Sequence, residues 1–216
     1  MNEYLNDLLS RMLDKNECLN SSESVSYQAH READKLADIS FIPQLIEFVD
    51  REKDKNKRNN AYFILGKIAK NTADIGATNY LISRIDKETD KYILSWLLDR
   101  ICDLQKSKET NIQPIINAIN NKSWQVKSSA ILALKHTDNP LAEDALIDVL
   151  KNPKTSEFDL TYANSTLAGI GTEKSIPYLI KLTTHKKIDV TGTALGAIIT
   201  ISDETCLPLC LERLEK

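Results

Sequence analysis

Cysteine is scarce and scattered in this chain of 216 residues. The four, Cys18, Cys102, Cys206 and Cys210, form no Cys-x-x-Cys pair and no dense framework. That excludes a disulfide-stapled scaffold and zinc-ribbon spacing, and it reads as reduced thiols in a cytosol. Cys206 and Cys210 are an i, i+4 pair in an apolar stretch, read as buried structural thiols. The three histidines, His30, His136 and His185, lie far apart without a His-Glu-x-x-His spacing, so no metal site is expected. Glycine and proline number 6 each, too few for a disordered or collagen-like chain. A net charge of -3 offers no field for phosphates, and the run Arg51-Glu52-Lys53-Asp54-Lys55-Asn56-Lys57-Arg58 is broken by acids and lacks interleaved aromatics. It reads as a solvated loop, and nucleic acid is not an expected partner.

Long apolar runs are missing too. No window approaches 18 apolar residues, so no membrane span is expected. The opening Met1-Asn2-Glu3-Tyr4-Leu5-Asn6-Asp7-Leu8-Leu9 carries acids where a signal peptide carries bases, which points to a cytoplasmic location. Reaction motifs are equally thin. There is no Gly-x-Ser-x-Gly and no phosphate loop, and Gly169-Ile170-Gly171 is a lone Gly-x-Gly where glycine serves as a helix cap. No catalytic residue, metal or cofactor is assigned, and the chain is not read as an enzyme.

What the chain does have is 42% hydrophobic residues arranged in a repeat. Phe41-Ile42-Pro43-Gln44-Leu45-Ile46 returns around Leu81, Ile115, Leu146, Leu179 and Cys210. Subtraction puts these anchors, counted from Leu45, 36, 34, 31, 33 and 31 residues apart. Pro43, Pro114, Pro177 and Pro208 suit the first turn of a helix, where the missing N–H is not needed. Between the anchors lies a second helix, with apolar residues at relative positions 0, 4, 8 and 11, one face at the helical period. Ile93, Leu97, Ile101 and Leu104 show it in full. Val126, Ala130, Leu134 and Thr137 follow it, as do Val190, Ala194, Ile198 and Ile201. Ala61, Leu65 and Ile68, with Lys57 at the opening site, and Ala163, Leu167 and Ile170, after Asp159, are looser copies. Residues 1–40 read as a degenerate leading pair, with one helix through Leu5, Leu8, Leu9, Met12 and Leu13 and another through Ala29, Ala33, Leu36 and Ile39. A helical hairpin cannot bury its apolar face alone, so neighbours must stack.

Ile176-Pro177-Tyr178-Leu179-Ile180 followed by Val190, Ala194, Leu195 and Gly196 resembles the short bacterial HEAT repeat. Leu65-Gly66-Lys67-Ile68 and Leu167-Ala168-Gly169-Ile170-Gly171 resemble its second-helix ending. The resemblance implies an all-α, right-handed α-solenoid of stacked antiparallel helix pairs, about five to six repeats, whose second helices line a concave wall. The expected organisation is one domain over 1–216. A capping repeat at 1–40 precedes repeats at 41–76, 77–110, 111–141, 142–175 and 176–206, and a capping helix at 207–216 follows. The chain departs from the family where an arginine usually follows the opening valine: Lys127, Thr191, Leu94 and Thr161 stand around that site, which puts the inter-repeat polar ladder in doubt.

Helical geometry then selects candidate contacts. Positions near 3 and 6 turn away from the buried face at 100° per residue, and they carry Phe63, Trp96, Asp99, Leu132 and Tyr162. Two readings stand for the apolar ones: they form an open wall that anchors a partner, or adjacent second helices cover them. Asp99 and Asp103 share a face at i, i+4. The plain account is a solvated stripe with Arg100 and Lys106 as counter-charges. Half-buried packing suits Trp96, and Trp124, at a helix opening, reads as a packing residue. The expected function is binding of a partner protein through the concave face. Phe63, Trp96, Asp99, Asp103, Leu132 and Tyr162 are the candidate contacts, in a bacterial adaptor or a toxin-neutralising immunity protein. An alternative, by resemblance to HEAT-repeat phycobilin lyases, is an enzyme or enzyme subunit. A relative of the helical-repeat DNA glycosylases ranks last, since Asp34, Asp99 and Asp103 oppose phosphate binding.

Overall fold

The computed structural model describes residues 1–16 and 20–202. The readings of Cys18, Cys206 and Cys210, and of a capping helix at 207–216, lie outside the described residues. Within them there are twelve α-helices and no strand. The chain divides into two compact units, residues 1–105 and 106–216. The first holds α1 (Glu3–Met12), α2 (Val25–Ala33), α3 (Phe41–Arg51), α4 (Lys55–Thr72), α5 (Ile75–Arg84) and α6 (Lys91–Cys102). The second holds α7 (Gln113–Ala118), α8 (Trp124–Ala133), α9 (Leu141–Lys151), α10 (Glu157–Ile170), α11 (Ile176–Leu182) and α12 (Ile188–Ile201).

Side chains in the turns start these helices. Asn2, Ser24, Asp54, Asp74, Asp90 and Ser156 each accept a hydrogen bond from a backbone N–H of the first turn, the donors a helix leaves unpaired. Pro114 and Pro177 sit in the first turns of α7 and α11. Within the first unit α1 packs on α2, α3 on α4, and α4 also on α5 and α6; within the second, α7 packs on α8, α9 on α10, α11 on α12, and α10 lies between α8 and α12. Helix pairs thus stack, second helix beside second helix.

The core follows the sequence period. Leu45, Leu81, Ile115, Leu146 and Leu179 have no exposed surface. Ile93, Leu97, Ile101 and Leu104 are buried, as are Val126, Ala130, Leu134 and Thr137. Burying a side chain of this kind contributes about 1.5–3 kcal/mol, which is why the register at 0, 4, 8 and 11 is held in full by α6 and α8 with the residues just after them.

Four local expectations are corrected. Helix α2 stops at Ala33, so Leu36 is only half-buried and Ile39 is 60% exposed. The basic run is not one loop: Arg51 ends α3, residues 52–54 turn, and the Asp54 side chain caps α4, which Lys55 begins. Trp124 does not pack. It is the first residue of α8, ahead of the turn whose periodicity buries Val126, and it is 71% exposed.

The fourth correction concerns the polar ladder, which is present. Arg58, one residue past the exposed opening site Lys57, reaches the next helix pair and clamps Glu88 with both arms, Nε to Oε1 at 2.8 Å and Nη2 to Oε2 at 3.0 Å. The Tyr62 hydroxyl donates to the same carboxylate at 2.7 Å and accepts from Arg84 Nε at 3.2 Å. Arg84 in turn holds Asp50 at 2.9 Å, as does the Tyr80 hydroxyl at 3.0 Å. Elsewhere the link uses other chemistry. Ser128 donates to buried Asp159 at 2.9 Å, and Ser175 to buried Glu143 at 2.6 Å. Asn71 and Asn139 each donate to two backbone carbonyls of the preceding inter-helix segment. An arginine that follows a lysine in place of the valine still does the joining once, and short polar side chains replace it in the second unit.

Candidate functional site

Helices α4 and α6 stand side by side in the first unit, capped at their starts by Asp54 and Asp90. Each offers a stripe at the i, i+3, i+4, i+7 spacing that keeps four side chains on one face. On α4 the stripe is Phe63, Gly66, Lys67 and Lys70. On α6 it is Trp96, Asp99, Arg100 and Asp103, every member 33 residues on by subtraction. These eight residues line a cleft of about 270 Å³. The shared register brings Lys70 to Asp103 and sets Gly66 against Arg100.

Each contact in the cleft has a cause in that register. Lys70 Nζ lies 2.7 Å from Asp103 across the two helices, and Lys67 Nζ lies 2.7 Å from Asp34, one repeat earlier. Both pairs are partly open to water and contribute little stability. The Phe63 ring is half-buried between cations, with Lys67 Nζ 5.0 Å and Arg100 Cζ 5.6 Å from its centroid. The His30 ring meets it edge-on at 5.1 Å. Trp96 is 45% exposed and leans towards Tyr92, centroid to centroid 6.5 Å.

Arg100 is the unusual member. Part of the residue reaches the surface, yet its Nε and Nη1 are closed off from solvent and have no hydrogen-bond partner among the described residues. Burial pulls the guanidinium down to about 10, partly offset by the nearby Asp99 charge, so it stays protonated at neutral pH. The Arg100 stem lies against Gly66: a Cβ there would be 3.4 Å from Arg100 Cβ and 3.7 Å from Cδ, ordinary contact distances.

The structure therefore brings together Phe63, Trp96, Asp99 and Asp103, four of the six candidate contacts, around one cleft. Leu132 on α8 and Tyr162 on α10 are half-buried and belong to the second unit. Asp103 meets Lys70 on the neighbouring helix at 2.7 Å. Sequence reasoning missed Gly66, Lys67, Lys70 and Arg100 as a group. The signal was present, since both stripes have one spacing and one offset. A second feature also escaped it: Trp124, Phe158 and Ile188, at the openings of α8, α10 and α12, are 71%, 75% and 85% exposed.

No family model and no curated protein matches the chain. Solved structures do. A designed armadillo repeat protein in complex with the peptide (KR)4 aligns with a TM-score of 0.57 at 16% identity, covering 93% of this chain and 100% of that one. Another designed armadillo repeat protein gives 0.53 at 17%, over 92% and 100%. An engineered protein gives 0.56 at 18%, over 93% and 96%. The fold is thus that of the helical-repeat α-solenoids. At such identities the likeness shows the fold alone.

Proposed function

We propose that this chain is a non-catalytic scaffold that binds a partner protein, and that the cleft between α4 and α6 is a principal contact. The observation that carries this reading is the exposed Trp96 beside Phe63 and Arg100 in one concave place. Tryptophan and arginine in partly enclosed pockets supply most of the binding energy in protein interfaces. Asp99 and Asp103 flank them as polar rim, and Leu132 and Tyr162 are proposed as further contacts from the second unit. One helical-repeat neighbour is described in complex with a peptide, which fits a scaffold role. Serving as an adaptor, or as an immunity protein that neutralises a toxin, are the finer forms of this reading, and the partner's own activity decides between them.

The test is affinity capture from a lysate of the source organism with three baits: the native chain, Trp96→Ala and Phe63→Ala. One partner retained stoichiometrically by the native bait, and weakened by about 1–3 kcal/mol in each variant with helicity unchanged, supports the reading. A partner that binds all three baits equally places the interface elsewhere.

A further inference from the structure

Resting on the scaffold reading above, we infer that the cleft recognises an acidic segment of the partner, and that Arg100 takes the carboxylate of an aspartate or glutamate flanked by an apolar side chain. Charge complementarity within the cleft carries the argument. Of its three cations, Lys67 and Lys70 each have a carboxylate at 2.7 Å. Arg100 has none within ion-pair distance among the described residues, and two of its donors, Nε and Nη1, are enclosed and unpartnered. A buried donor left unmade is costly, so a fold retains one where something else completes it. The guanidinium fork matches a carboxylate with two parallel hydrogen bonds. The Phe63 ring lies 5.6 Å from Arg100 Cζ, and the arginine side chain must turn its enclosed donors towards the cleft when the acid binds. Trp96, 45% exposed on the same wall, covers an apolar neighbour of the acid. Asp99 and Asp103 also line the cleft, but Asp103 is engaged by Lys70, and Asp99 compensates Arg100 only through the field, without a direct contact. A basic segment would meet three cations there.

The chain has two tryptophans, so Trp124→Phe leaves Trp96 as the sole tryptophan, read by excitation to the red of tyrosine. In that background, Trp96 emission is titrated at low salt with the peptides (Glu-Ala)4, (Gln-Ala)4 and (Lys-Arg)4. The expected result is at least tenfold tighter binding of (Glu-Ala)4 than of either other peptide. Arg100→Gln removes the preference with helicity retained, and Arg100→Lys, which keeps the charge but loses the fork, weakens it several-fold. The lysine variant decides the matter if the glutamine variant does not fold. A preference that survives either change at native strength, no preference, or a preference for (Lys-Arg)4 overturns the inference. The captured partner separates the two readings. If it is lost with Trp96→Ala but untouched by Arg100→Gln, the carboxylate site fails and the scaffold stands. If it is indifferent to Trp96→Ala while the peptide preference is present, the scaffold contact fails and the anion site stands.

Discussion

Removing the Glu88 carboxylate tests the account of what joins the helix pairs of the first unit. In Glu88→Ala, Arg58 loses partners for Nε and Nη2, and the Tyr62 hydroxyl loses its acceptor. The Glu88 side chain is 1% exposed and that of Arg58 17%, so water cannot readily replace what is lost. Hydrogen bonds to a charged group are each worth about 1.5–3 kcal/mol, but they do not add, because Arg58 keeps its bonds to the Glu52 and Lys53 carbonyls. Breaking one side of a buried ion pair costs about 3–5 kcal/mol. Partial access for Arg58 puts the expected loss at the low end, about 3 kcal/mol. For a chain of this length that lowers the melting temperature by roughly 6–12 °C. Urea unfolding followed by circular dichroism measures it, with Arg58→Ala and the double variant closing a thermodynamic cycle. The pair should couple by about 1–3 kcal/mol. A loss under about 1 kcal/mol in Glu88→Ala, or strict additivity in the cycle, refutes the claim that this network fastens the two helix pairs.

The same network sets a pH dependence. Burial alone would raise Glu88, yet the Arg58 fork and the Tyr62 hydroxyl hold it below its ordinary 4.5. A depressed folded value means stability is fully present above about pH 4.5 and falls below it, so acid melts should lose less in Glu88→Gln than in the native chain. Burial, then the bond to Glu88, pushes Tyr62 up to about 12. Its share of stability is present below pH 10 and is lost between 10 and 12, and Tyr62→Phe should flatten alkaline melts. Gly171→Ala should destabilise by about 1–3 kcal/mol, since the added Cβ would lie 2.7 Å from the Leu167 carbonyl oxygen and 2.8 Å from Ile201 Cδ1; an unchanged urea midpoint contradicts the packing described at the end of α10. Trp124→Ala should change stability by no more than about 0.5 kcal/mol, because the ring touches mainly water; a loss above 2 kcal/mol would mean that it packs after all.

Much of the candidate site was legible residue by residue. Phe63, Trp96 and Asp99 were selected from their place around the helix relative to the buried register, and Asp103 from its i, i+4 spacing to Asp99; rotation along a single helix suffices for both. Arg100 escaped because its setting comes from another helix: its stem lies against Gly66 of α4, and its guanidinium sits 5.6 Å from the Phe63 ring centre. Arg58 escaped for a related reason. Its partner Glu88 lies 30 residues away in the segment before α6, a distance at which periodicity says nothing about which polar groups meet. Trp124 misled because a large aromatic at a helix opening reads as packing, while its place in the first turn of α8 leaves it 71% exposed.

The sequence by itself determined the class of fold, the period, the helical phase and most of the buried apolar face, though not Leu36, Ile39 and Trp124, which are half-buried or exposed. Those rest on local rules: turn residues that cap helices, a spacing that puts apolar groups on one face, and hairpins that must stack to bury it. Tertiary structure alone decided which charges pair, which cation is left enclosed without an acceptor, and which stripes of neighbouring helices line one cleft. Those outcomes depend on distances between residues about 30 positions apart. They are set when one helix pair docks on the next, and no pattern within a single repeat contains them.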